Sequence, residues 1–291
     1  MKTQKLFDNY NLNINEAEVT KALSEIKEKS KSLKTKENLK KILSFIDLTT
    51  LDGTDTAEKA QKFAEKVNQF NAQFPNYRNV AAICVYPALV PEVKKHLKDK
   101  NFNLASVTGG FPASQTFIDI KTAETKAVAK AGATEADMVI SIGKFLSGDY
   151  DTVFDEIKSI KEACGDMHLK VIMETGVLPS LTEIKKACIL ALEAGGDFLK
   201  TSTGKADPAA TPEAMYIMAQ SVKEYYEKTG KKIGLKPAGG ISDSDTAIIY
   251  FAIVKELLGE EWLTPELFRI GASSLANKVL SDLEEKTVSY F

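Results

Sequence analysis

The sequence predicts an α/β protein folded as a (β/α)8 TIM barrel with an N-terminal helical extension, and three observations carry that prediction. From Phe45 onward, short apolar or β-branched runs alternate eight times with longer segments of helical period. Strict alternation with buried strands demands a parallel sheet, open or closed, and eight repeats favour closure. Polar residues and glycines recur where the runs end, in LTTLDGT, TGGFP, METG, KTSTGK, KPAGG and GASS. In a closed barrel those ends form the catalytic face, whereas an open dinucleotide-binding sheet gathers such residues at one switch point. Neither GxGxxG after the first run nor GxxxxGK[ST] occurs, so the open alternatives lose their main support.

Residues 1–40 form the extension and 41–291 the barrel domain with a C-terminal tail. In the extension Asn15 can cap a helix with Glu18 at its third position, and Val19, Leu23 and Ile26 recur at helical spacing. The run KEKSKSLKTKE reads as a solvated helix end or linker. The predicted strands are FIDLTTL from Phe45, AAICVYP from Ala81, ASVTGGFP from Ala105, ADMVISIG from Ala136, LKVIMETG from Leu169, FLKTSTG from Phe198, IGLKPAGG from Ile233 and LFRIGASS from Leu267. Between them lie helical segments such as DTAEKAQKFAEKVNQF, IKTAETKAVAKAG and TEIKKACILALEAG, the last two closing on glycine.

Composition narrows the function classes. With 44% apolar and 27% charged residues the chain is that of an ordinary folded protein, and a formal charge of −2 provides no global attraction for nucleic acid or an anionic membrane. Its apolar runs fall far short of the roughly 18 residues that suggest a bilayer span. Three scattered cysteines without a CxxC pattern fit a reducing, cytoplasmic setting. Two histidines cannot build a His-rich metal site, so no metal or cofactor is expected and acid–base work falls to Lys, Asp, Glu, Tyr or Cys.

Two lysines sit inside strands, Lys200 in FLKTSTG and Lys236 in GLKPAGG. The alternative for either is an outward side chain snorkelling between helices. On adjacent strands roughly 4.8 Å apart, two inward lysines approach closely, and like charge with partial burial depresses both pKa values. A depression of about three units from about 10.4 makes a large fraction of the amine free at neutral pH, as Schiff-base chemistry requires. Asp137 in ADMVISIG is the expected third member, able to share a level with Lys200 because layers draw on alternate strands. Gly204 and Lys205, Gly239 and Gly240, and Ser273 and Ser274 end strands six, seven and eight and are candidates for a phosphate cradle.

FLKTSTGK, GLKPAGG, RIGASSL, IDLTTL and AAICVYP, on those strands, make the chain resemble the deoxyribose-phosphate aldolases from about Phe45 to Leu275. The resemblance implies a class I aldolase that reversibly cleaves 2-deoxy-D-ribose 5-phosphate to acetaldehyde and D-glyceraldehyde 3-phosphate. It implies that Lys200 forms the Schiff base, Lys236 perturbs its pKa, and Asp137 relays a proton through an ordered water. It also implies phosphate contacts at Gly204, Lys205, Gly239, Gly240, Ser273 and Ser274. Asp47 and Thr203 would contact the sugar or the lysines, with Cys84 at the pocket wall. Some members carry a C-terminal tail whose final tyrosine enters the site, and here Tyr290 is penultimate. A homodimer is the family's usual state. The alternatives are a Schiff-base aldolase for another sugar phosphate, or a sugar-phosphate binding barrel without catalysis.

Overall fold

A computed structural model describes residues 2–291. Three helices, α1 (Lys2–Phe7), α2 (Glu16–Leu33) and α3 (Lys36–Leu43), precede β1 (Ile46–Thr49). The barrel continues through α4 (Ala57–Gln73), β2 (Ala82–Val85), α5 (Val90–His96), β3 (Asn103–Thr108), α6 (Ile118–Ala131) and β4 (Glu135–Val139). There follow α7 (Ile142–Leu146), α8 (Tyr150–Cys164), β5 (His168–Ile172), α9 (Leu181–Glu193) and β6 (Phe198–Lys200). Last come α10 (Pro212–Thr229), β7 (Gly234–Lys236), α11 (Ser244–Leu258), β8 (Ile270–Ala272) and α12 (Leu275–Glu284). All eight predicted strands are present.

Each strand pairs in parallel with the next, and β1 also pairs with β8. Closure between β7 and β8 rests on bridges Leu235 to Phe268 and Ala238 to Gly271. The fold is therefore a (β/α)8 TIM barrel. Because strand side chains alternate, the register decides what meets inside: Asp137 lies opposite Lys170, and Lys200 opposite Lys236.

The Asn15 cap forms as the spacing predicts, its side chain accepting from Ala17 and Glu18 N–H groups while its amide donates to Glu18. The lysine-rich run is more ordered than a linker. Helix α2 runs to Leu33, and Thr35 caps α3 after a two-residue break. Val19, Leu23 and Ile26 are buried and join Phe7 in the main core. Helix α2 packs against α10 and α11, and α1 against α8 and α9, so the extension wraps the outer helix ring. Glycine closes α6 as expected, with Gly132 left-handed at φ 98°, and Gly195 does the same just beyond α9 at φ 94°.

Candidate active site

Seven charged side chains converge inside the barrel, all essentially buried: Asp47, Glu135, Asp137, Lys170, Lys200, Lys236 and Arg269. Asp137 is their centre. Its Oδ1 accepts from Lys170 at 2.8 Å, and its Oδ2 accepts from both Lys200 and Lys236 at 2.7 Å. Lys236 also donates to Asp47. Beneath them Lys170 donates to Glu135 at 2.6 Å, and Arg269 reaches Asp47 at 2.7 Å and Glu135 at 2.9 Å. Gly271 makes room for this arrangement, since a Cβ there would lie 3.1 Å from Lys236 Cε.

Three carboxylates thus face four basic groups, so a fully protonated cluster carries one surplus positive charge in a poorly solvated interior. Lys200 is the group best placed to shed it. It has one carboxylate partner, whereas Lys236 has two. Burial pushes the Lys200 amine down, Asp137 opposes this, and Lys236 adds to it, leaving the pKa below its ordinary value. For Lys236, burial acts in the same sense, but Asp137 and Asp47 outweigh it and raise the pKa. The mutual depression expected from the sequence is therefore corrected for Lys236, because Asp47 supplies the compensating charge. Burial would raise the Asp137 carboxyl, but Lys170, Lys200 and Lys236 hold it well below the usual carboxylate range. Asp47 is likewise held low by Lys236, Arg269 and Lys170 against the effect of burial. An amine whose pKa is lowered, beside an ammonium whose pKa is raised and a carboxylate, gives up its proton more readily than an ordinary lysine and, once free, can attack a carbonyl and exchange protons.

A cavity of about 580 Å³ opens above Lys200 at the C-terminal ends of the strands. Thr203, Gly204, Lys205, Gly239, Gly240, Ser273 and Ser274 all line it, with Thr49, Thr50 and Leu51 on the β1 side. Gly204, Gly239 and Gly240 have φ of 77°, 85° and 76°, a region open to glycine. A Cβ on Gly239 would lie 2.6 Å from Ala209 Cβ, so a side chain there would drive two loops apart. Ser274 stands at the N-terminus of α12, where N–H groups and the helix dipole favour an anion.

Asp47, Asp137 and Lys236 form the sealed floor beneath this cavity. Cys84 lies beside them, its Sγ 3.9 Å from Asp137 Oδ2, and burial followed by the Asp137 charge pushes its thiol pKa up. Tyr290 lies outside this cavity in the structure, on the outer face of the barrel. Its hydroxyl donates to the Lys66 carbonyl at 2.7 Å, its N–H donates to Asn277, and its ring meets Phe74 edge-on. Aromatic packing and this clamp hold the tail on the outside of α4.

Sequence reasoning missed Glu135, Lys170, Arg269 and Glu174. The first three read as charged strand ends, and only closure of the barrel turns them inward. Glu174 lay within the METG motif, but nothing in that motif revealed its carboxylate binding Thr203. Among the described residues no cluster of His, Cys, Asp and Glu is placed to hold a metal ion, and no helix is long and apolar enough to cross a membrane.

A model of the DeoC/LacD family aldolases matches residues 41–257. A Caenorhabditis elegans relative is 44% identical over 268 residues, covering 91% of this chain and 88% of its own. The deoxyribose-phosphate aldolase of Homo sapiens is 43% identical over 263 residues, covering 85% and 80%. The solved aldolase QR15 superposes with a TM-score of 0.69 at 30% identity, over 84% of this chain and 96% of its own. The tetrameric deoxyribose phosphate aldolase of Aeropyrum pernix, at 24% identity and a TM-score of 0.69 over 89% and 97%, shares the fold. With the family model spanning most of the barrel, and relatives above 40% identity along most of its length, the chain belongs to the DeoC/LacD family of aldolases.

Proposed function

We propose that the protein reversibly cleaves 2-deoxy-D-ribose 5-phosphate to acetaldehyde and D-glyceraldehyde 3-phosphate through an imine on Lys200. The free amine adds to the C1 aldehyde of the open-chain sugar, and with uptake of one proton, returned at the final hydrolysis, water leaves to give an iminium. Loss of the C3 hydroxyl proton to a base breaks the C2–C3 bond, and its electron pair passes into the iminium to form an enamine. D-Glyceraldehyde 3-phosphate departs. Protonation at C2 and hydrolysis then release acetaldehyde and restore the amine. Asp137, through water, is the group assigned to proton transfer at C2, and the charged Lys236 holds Asp137 ionised while disfavouring charge on Lys200.

The observation that carries this reading is the unequal pairing of the two lysines, with the singly paired Lys200 at the cavity floor and Lys236 sealed below. The loops at Gly204, Gly239 and Gly240, with the start of α12, supply N–H groups suited to the phosphate. Lys205 adds a cation, now 3.7 Å from Asp52. Small sugar phosphates and aldehydes are the proposed partners.

The test is intact mass after incubation with deoxyribose 5-phosphate and borohydride, followed by peptide mapping. The expected result is a borohydride-dependent adduct on the peptide containing Lys200. An adduct on another lysine moves the nucleophile, and binding without any adduct favours a sugar-phosphate binding barrel.

A further inference from the structure

Glu174 lies two residues beyond β5, at the start of the turn that follows it, and takes no part in the bond-breaking steps above. Its backbone is left-handed, φ 52° and ψ 55°, a conformation that costs a non-glycine residue free energy and persists only where the surroundings enforce it. The side chain is buried, and among the described residues no lysine, arginine or histidine lies within ion-pair distance of it. One residue occupies both of its oxygens: the Thr203 N–H donates to Oε1 at 3.1 Å, and the Thr203 hydroxyl donates to Oε2. The Thr203 hydroxyl oxygen in turn accepts the Lys205 N–H at 3.0 Å. Close by, a Cβ on Gly176 would stand 1.7 Å from the Pro208 carbonyl oxygen, so the turn after β5 is pressed against the loop after β6.

These contacts set the polarity of Thr203. The Thr203 hydroxyl is the donor in its bond to Glu174 Oε2, so its proton is committed to that side. Of the two lone pairs on Oγ1, one takes the Lys205 N–H, and one remains on a residue that lines the cavity between Lys200 and the phosphate loops. We infer that Glu174 is a positioning residue that fixes Thr203 as a hydrogen-bond acceptor, so that the site selects a substrate hydroxyl able to donate between the reacting carbon and the phosphate. In the proposed reaction, on which this inference rests, that group is the C4 hydroxyl of the sugar, equivalent to the C2 hydroxyl of the three-carbon aldehyde.

The experiment runs the reaction in the direction of synthesis, with acetaldehyde as donor and two acceptors compared. These are D-glyceraldehyde 3-phosphate and 3-oxopropyl phosphate, which lacks only the hydroxyl. The wild-type protein is expected to favour the hydroxylated acceptor in kcat/KM by about tenfold or more, as loss of one good hydrogen bond implies. Glu174→Gln offers an N–H to Thr203 and frees its proton to turn towards the cavity, so the preference falls to about threefold or less. Glu174→Asp keeps a carboxyl group in a residue that tolerates the left-handed region, and retains the preference. Equal losses on both acceptors in Glu174→Gln, or an unchanged preference, overturn the inference and leave Glu174 a structural brace. Failure of the wild-type protein to condense either acceptor overturns the reaction itself, and this inference with it.

Discussion

The floor and the mouth of the barrel use the same residue types to opposite ends. On the floor, Lys170 and Arg269 each meet at least two carboxylates, and the opposing charges raise the pKa of both against the effect of burial. At the mouth, Lys200 meets one carboxylate and a neighbouring ammonium, and its pKa falls. The lesson is that burial alone does not make a lysine nucleophilic. What decides is how many carboxylates it is given, and here the fully compensated lysines surround the one left short.

Removing Lys200 is the harshest way to break this contrast. Lys200→Met should lower turnover by about 10⁴-fold or more and abolish the borohydride adduct. The same variant should be stabler by about 1 kcal/mol in urea unfolding, because it leaves three carboxylates facing three cations. The sign follows from the lowered pKa of Lys200. Its folding penalty is fully present below the folded pKa and is relieved as pH rises towards 10.5, the value in the unfolded chain. A Lys200→Met protein less stable than wild type would mean that the surplus charge is not a burden.

Cutting the floor should cost stability. Arg269→Met leaves Asp47 and Glu135 short of a partner and should destabilise by about 3–5 kcal/mol, read as a shift in the urea midpoint. The pH dependence of wild-type unfolding tests the same cluster. Asp47 and Asp137 are held below the 3.8 of an unperturbed aspartate, so their contribution is present above that pH and is lost as pH falls through it towards the folded values. Stability that stayed flat on acidification would contradict their pairing.

Replacing Lys236 sharpens the contrast further. Lys236→Met removes the like charge beside Lys200 and leaves Asp137 Oδ2 to that amine alone, so the Lys200 pKa rises. The acid limb of the pH–rate profile should move to higher pH, with turnover at pH 7 reduced by about 10²-fold. An acid limb moving down would assign the tuning elsewhere. The smallest effect is expected at the tail: with the Tyr290 hydroxyl bonded to Lys66 outside the cavity, Tyr290→Phe should cost about 1 kcal/mol of stability and change turnover less than about twofold. A large fall in exchange of the acetaldehyde methyl protons would show that the tail leaves α4 during the reaction.

How much of this was legible depended on whether the signal was local. The strands announced themselves through apolar runs and glycine ends, and Lys200 and Lys236 through their place inside such runs. Lys170, Glu135 and Arg269 stand at or near the starts of such runs, and their partners lie 33 to 222 positions away in sequence, so their compensation exists only once the barrel closes. The divergence of the two lysines was hidden for the same reason, since it turns on Asp47, contributed by the first strand. Glu174 was unreadable in another way. Glutamate carries no preference for a left-handed backbone, and its bond to Thr203 depends on that conformation.

The closing edge between β7 and β8 gives the barrel a direction of weakness. Three backbone hydrogen bonds span it, from Leu235 N–H to the Leu267 carbonyl, Arg269 N–H to the Leu235 carbonyl, and Gly271 N–H to the Pro237 carbonyl, each 2.9 Å, and Pro237 has no N–H to add a fourth. The Arg269 side chain crosses the interior from this edge to Asp47 on β1 and Glu135 on β4, so it acts as a tie rod between opposite walls. Amide exchange should therefore be quickest along this edge, and quicker still once the rod is removed. The strand that carries Lys236 would then breathe while the remaining ladders stayed shut.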